Sequence, residues 1–186
     1  GCLGAAQTVL SIVAGARISA IQSGLGHASV IRVMPNTPAQ IGQGMSLWTC
    51  SSEVDDATRT LAQSILGTMG REIYVSSEKY LDMATALSAS GPAYVFTFIE
   101  ALTDAGVYLG LPREMSHTLA LQTALGSTLL VKETGKHPAV LRDMVTSPGG
   151  TTVEALLTLE EAGFRAAIIN AVKAAYEKSV ELGEEG

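Results

Sequence analysis

A partly parallel α/β segment followed by an all-helical one is the fold class the sequence predicts. Three observations carry it. Short β-rich apolar runs alternate with helical patterns as far as about residue 77; no strand-like run follows; and the later segments are long helical patterns rich in small residues. Strands alternating with helices imply a sheet that is at least partly parallel and covered on its faces. The domain boundary accordingly falls near residue 77, dividing the chain into 1–77 and 78–186.

The run Val9-Leu10-Ser11-Ile12-Val13-Ala14-Gly15 has the composition of a buried parallel strand that opens into a loop at its glycine. Residues 18–24 follow as a short helix with Ile18 and Ile21 on one face. Val30-Ile31-Arg32-Val33-Met34 is a second strand, stopped by Pro35-Asn36-Thr37-Pro38, where two prolines remove ladder donors and fix the backbone. Residues 44–50 supply a third strand. Residues 55–69 form an amphipathic helix with Ala57, Leu61, Ile65 and Met69 at four-residue steps, an acidic first turn and Gly70 at its end. A fourth strand spans 71–76.

Beyond the boundary, helices are expected over about 78–88, 91–109, 113–134, 138–145, 151–160 and 163–182, with the acidic residues from Glu181 onward as a fraying tail. Ser88-Ala89-Ser90-Gly91-Pro92-Ala93-Tyr94 opens the first long helix with Ser or Gly as cap and Pro in its first turn. Small residues recur in the long helices, Ala101, Ala105 and Gly106 in one and Ala120, Ala124, Gly126 and Ser127 in the next, which lets helix axes approach closely.

Composition narrows the function classes. A net charge of -6 with twelve scattered Lys and Arg argues against nucleic acid as a partner, since phosphate binding needs basic clusters. No run reaches the length of a membrane span. Cys2 and Cys50 share no CxxC or Cys/His grouping, so neither a disulfide framework nor a metal site is indicated, and a reducing cytoplasm fits. With 47% hydrophobic and 16% charged residues, the chain is apolar enough to suggest an oligomer interface.

The candidate site lies in Val145-Thr146-Ser147-Pro148-Gly149-Gly150-Thr151-Thr152, between two helical segments. Pro148 and the glycine pair forbid a regular helix there and free successive N–H groups to point at a ligand. The next helix begins at about Thr151. A helix N-terminus carries roughly half a unit of positive charge and attracts carboxylate or phosphate. The plain alternative is a helix-loop-helix turn with a Thr cap. Loops after Val13 and after Met34 are the other places to look, because ligands bind at strand ends of open α/β sheets. Ala14 and Gly15 would let a flat ring lie near the backbone, and Asn36 and Thr37 offer an amide and a hydroxyl.

Several chemistries find no support. Gly24-Leu25-Gly26-His27-Ala28-Ser29 lacks the final Gly or Ala of a dinucleotide fingerprint and precedes a strand instead of following one. His27, His117 and His137 share no spacing for a metal or a triad and are expected at the surface or as caps. No Ser sits in a Gly-x-Ser-x-Gly elbow.

Arg32-Val33-Met34-Pro35-Asn36-Thr37-Pro38, the Ser88 to Tyr94 block, Gly110-Leu111-Pro112-Arg113, His137-Pro138 leading to Leu141-Arg142-Asp143, and the candidate loop resemble pyrroline-5-carboxylate reductase in order and spacing. Ala162-Gly163-Phe164-Arg165 and Asn170-Ala171-Val172 extend the likeness. The resemblance implies a Rossmann-like domain followed by a helical domain that interlocks in a homodimer, possibly within a larger oligomer. It implies an oxidoreductase of proline biosynthesis that transfers hydride from NADPH or NADH to the imine of Δ1-pyrroline-5-carboxylate. By position, Ala14, Gly15, Met34, Pro35, Asn36 and Thr37 would face the nicotinamide. Ser147, Pro148 and the amides of Gly149, Gly150 and Thr151 would hold the substrate carboxylate, and the Thr152 hydroxyl would orient the ring nitrogen. In the family, the loop of one subunit completes a site beside the dinucleotide domain of the other. Two departures stand out: Ala86 and Ala89 occupy positions where the family usually has Gly, and the first βα units with their glycine-rich turn are not in the sequence. A Rossmann-like domain incomplete in that way is expected to bind NADPH weakly or not at all, leaving a weak reductase, or else a dimerising module without activity.

Overall fold

The computed structural model describes Leu3, Gly4 and residues 6–185, so Cys2 and its expected lack of a disulfide lie outside the described residues. The chain divides into two compact units, residues 1–92 with 170–186, and residues 93–169. No described helix is long and apolar enough to cross a membrane.

The first unit is built on one four-stranded sheet. Its elements are β1 (Val9–Ser11), α1 (Ile18–Leu25), β2 (Val30–Met34), a 3-10 turn (Thr37–Ile41), β3 (Gly44–Cys50), α2 (Asp56–Thr68), β4 (Gly70–Tyr74), α3 (Lys79–Ala84) and a π turn (Thr85–Ala89). The spatial order is β1-β2-β3-β4; β1 runs parallel to β2 and β3 parallel to β4, while β2 and β3 are antiparallel. Connection length decides this. Residues 35–43 are too few for a parallel crossover, whereas α1 and α2 carry the two crossovers that exist. β2 is buried at every position, as expected of a strand covered on both faces.

The core gathers Ile31, Val33, Trp48, Val54, Ala62 and Leu66. This corrects the face expected of α2: Ala62 and Leu66 are buried, whereas Leu61 and Ile65 are 61% and 47% exposed. The packed stripe runs through 62, 66 and 69: Met69 packs as expected, while Ala62 and Leu66 stand one residue, about 100° around the helix, from the predicted Leu61 and Ile65. The start of α2 is as read. Asp55 accepts the Thr58 N–H at 2.8 Å, and that bond holds its carboxyl below the ordinary range. Its end is not: Gly70 is the first residue of β4 and no left-handed cap, and a Cβ there would overlap the backbone of Gly44 on β3. Trp48, 2% exposed, donates its indole N–H to Glu72 at 2.6 Å and meets the Tyr74 ring edge-on.

Three further boundaries move. β1 ends at Ser11, earlier than Gly15, because Ile12 and Val13 leave the ladder. The chain does not open a fresh helix at Ser90: it passes from α3 through the π turn, with Ser90 still in αR geometry and its N–H bonded to the Thr85 carbonyl. The helix at the carboxy terminus runs on through Glu185 and does not fray at Glu181.

The second unit is helical: most of α4 (Gly91–Tyr108), then α5 (Arg113–Thr134), α6 (Pro138–Met144), α7 (Thr151–Glu161) and the first turns of α8 (Phe164–Glu185). Of the small residues expected to bring α4 and α5 together, Gly106 stands at their contact. Ser116 Oγ donates to the Thr103 carbonyl at 2.5 Å, and a Cβ at Gly106 would overlap that hydroxyl. Only Thr103, Ser116 and Ala120 are buried among this unit's described residues, while Tyr108 and Leu109 are 91% and 80% exposed. Within one chain, then, the long helices have almost no apolar interior of their own.

Gly106→Ala is expected to destabilise the protein by about 1–3 kcal/mol, the usual cost of overpacking, despite the better helix propensity of alanine. Urea unfolding checks this; an unchanged midpoint would show that the helices can separate without loss.

Candidate functional site

The loop between α6 and α7 takes its shape from three residues. Thr146 Oγ1 bonds the Arg142 carbonyl at 2.7 Å and fastens the end of α6. Ser147-Pro148-Gly149-Gly150 then forms a turn closed by the Gly150 N–H on the Ser147 carbonyl at 2.9 Å. Gly149 stands at φ +71, so the turn has proline second and a positive-φ glycine third, the type II pattern. Gly150 is extended at φ -84 and ψ 166 and is the N-cap of α7, with no side-chain cap bond.

That geometry settles which donors face outward. The Gly150 amide, expected among the ligand donors, is spent on the turn. The N–H groups of Ser147, Gly149, Thr151 and Thr152 have no acceptor among the described residues, and neither do the hydroxyls of Ser147, Thr151 and Thr152. Ser147, Pro148, Gly149 and Thr151 are exposed, Gly150 and Thr152 half-buried. The expected Thr cap is absent, which leaves the first amides of α7 open. Unpaired amides at the start of an 11-residue helix, ringed by free hydroxyls, suit a small anion such as a carboxylate.

In the first unit, the parallel pairing of Ser11 with Arg32 brings the chain beyond β1 and the chain beyond β2 to the same sheet edge. Ala14 and Gly15 therefore follow β1 on the same sheet edge at which Met34, Pro35, Asn36 and Thr37 end β2, an edge where open α/β sheets bind ligands. Gly15 is buried at φ +78, and a Cβ on it would press within 3.0–3.1 Å of Leu182 in α8. Ala14 and Thr37 are exposed, Pro35 and Asn36 half-buried, and Met34 is 5% exposed. The Asn36 carboxamide is largely occupied: its oxygen accepts the Met45 N–H at 2.8 Å, and its Nδ2 donates to Ser88 at 3.3–3.4 Å. What remains open at this edge is backbone and apolar surface, with the Thr37 hydroxyl, a set that fits the flat nicotinamide end of a dinucleotide.

Sequence reasoning missed the network just behind this edge. Arg32, 1% exposed, reaches Glu78 Oε1 at 2.9 Å and Asp82 Oδ1 at 3.2 Å. The same Glu78 oxygen accepts the N–H of Ile18, the first residue of α1, at 3.0 Å. The signal was there: an arginine inside an apolar strand needs carboxylates, and Glu78 and Asp82 are one helical turn apart. Of the histidines, His137 caps α6 through Nδ1, His27 bonds the Gln7 carbonyl, and His117 lines a cavity of about 420 Å³ with Phe96, Glu100 and Arg113.

The sequence model of a family described as pyrroline-5-carboxylate reductase dimerisation matches residues 78–182. A pyrroline-5-carboxylate reductase from Synechocystis is 48% identical over 176 residues, 95% of this chain and 66% of that protein. One from Glycine max is 46% identical over 94% of this chain and 63% of its own length. The chain thus spans about two thirds of the length of these relatives. The crystal structure of Plasmodium falciparum pyrroline carboxylate reductase with NADP bound superposes with a TM-score of 0.91 at 39% identity, covering 95% of this chain and 68% of that one. A Coxiella burnetii pyrroline-5-carboxylate reductase gives 0.86 at 40% identity, over 94% and 65% of the two chains.

Proposed function

The chain belongs to the pyrroline-5-carboxylate reductase family, and we propose that the protein reduces the imine of Δ1-pyrroline-5-carboxylate to give L-proline, with NADPH or NADH as reductant. The observation that carries this is the Ser147–Gly150 turn, which leads into α7 with its first amides unpaired. The nicotinamide, when bound, supplies the hydride, and the chain's own residues bind and orient. Ser147 Oγ with the amides of Gly149 and Thr151 holds the substrate carboxylate, helped by the positive end of α7. Gly150 contributes by closing the turn and not as a donor. Thr152, one residue further into the helix, accepts a hydrogen bond from the protonated ring nitrogen through its hydroxyl. An iminium held at both carboxylate and nitrogen presents one face, and a positioned electrophile needs no strong acid or base, so proximity supplies much of the rate.

At the sheet edge, Ala14, Gly15, Met34 and Pro35 form the apolar, close-approach surface for the nicotinamide, with Thr37 beside it. Asn36 acts there through the backbone it fixes. Residues 78–186 serve as the dimerisation part of the protein. The many exposed apolar side chains on α4 and α5 support this, since residues 93–169, which among the described residues bury only Thr103, Ser116 and Ala120, require a second copy to exclude water.

Thr152→Val, tested in the full-length gene product, is expected to lower kcat about tenfold to a hundredfold, the range of a lost positioning hydrogen bond, with an unchanged melting temperature. Unaltered kinetics would remove Thr152 from the site. Sedimentation at micromolar concentration should show a dimer or larger; a clean monomer would contradict the assigned role of residues 78–186.

A further inference from the structure

The Arg32 network does more than neutralise a buried charge. Glu78 immediately precedes α3, yet its side chain makes no capping bond to that helix. It reaches instead to Ile18 N–H and Arg32 Nη1. α1 has a matching need. Its N-cap is Arg17, which offers no side-chain cap, so the first amide of α1 is met from sixty residues away. A carboxylate is well suited there, because the N-terminus of a helix favours negative charge. Glu78 thus fastens the chain beyond β1 to the chain of β2 through one oxygen.

The far end of the same segment repeats the arrangement. After α3 the chain widens into the π turn Thr85–Ala89, a geometry that recurs at functional sites. There the Ser88 carbonyl and hydroxyl receive the Asn36 carboxamide, whose oxygen holds Met45. Residues 78–89 therefore grip both loops of the sheet edge, one through Ile18 and one through Asn36, with Arg32 and Asp82 tying the middle to β2. Resting on the reductase function proposed above, we infer that Glu78 is a positioning residue for the nicotinamide. Through Ile18 N–H it sets where Ala14 and Gly15 stand relative to Met34 and Pro35, and so the width of the slot between them.

The inference has a selective test. Arg17 has φ -72 and ψ 151, the backbone that a residue before proline prefers, and Ile18 is the first helical position, where proline is tolerated. Ile18→Pro therefore deletes the donor to Glu78 and leaves the Arg32 ion pairs in place. In the full-length gene product it should raise the KM for the nicotinamide cofactor at least fivefold, with the imino-acid KM within twofold of wild type. Glu78→Ala should raise the cofactor KM about tenfold, and Glu78→Gln, which keeps an oxygen for Ile18 N–H, should restore most of the loss. A general loss of structure would lower the active fraction without separating the two KM values. If Glu78→Ala does not fold, Ile18→Pro decides. A folded Ile18→Pro protein with an unchanged cofactor KM overturns the inference and leaves the reductase function standing. A wild-type protein that reduces no imine overturns both.

Discussion

Taking the guanidinium of Arg32 out of water costs several kcal/mol unless its charge is met, and the first unit is arranged around meeting it. β2 is buried along its whole length, so the side chain cannot escape to solvent. Two carboxylates must come to it, and both come from the segment that follows β4. These contacts tie α3 to β2, and through Glu78 they also reach the start of α1. Arg32 Nε has no hydrogen-bond partner among the described residues.

The second unit obeys a different constraint. Its helices approach through Gly106 and the hydroxyl of Ser116, and few of its large apolar side chains find cover within the chain. With so little apolar surface buried inside it, this unit gains little hydrophobic stabilisation of its own. The loop of residues 145–150 sits on such helices, and its form is set locally by Thr146, Pro148 and Gly149, so the site keeps its shape through turn chemistry more than through packing.

Much of this was legible in the residues. Pro35 and the glycine pair at 149–150 mark loops because proline and glycine act on the backbone directly, whereas the boundary expected near residue 77 differs from the division of the compact units at Pro92 and Ala93. The face of α2 was not legible: Leu61, Ile65 and Leu66 are all apolar, and only contact with Ile31, Val33 and Trp48 selects among them. The role of Gly70 was misread for a related reason, since a glycine after a helix can serve a cap or a close approach, and the partner strand decides. At the candidate loop, the residues show where the hydroxyls lie but could not say that the Gly150 amide closes its own turn. Long-range partners such as Glu78 and Arg32 leave only a weak trace, an uncompensated charge in an apolar run.

The central claim is that the open amides before α7 hold a carboxylate. Calorimetric titration of the full-length gene product, saturated with oxidised cofactor, with L-proline and with L-prolinamide tests it most directly. The amide keeps the ring and its nitrogen and replaces the anionic carboxylate with a neutral carboxamide. Proline binding at least tenfold more tightly is the predicted result; equal affinities would contradict it.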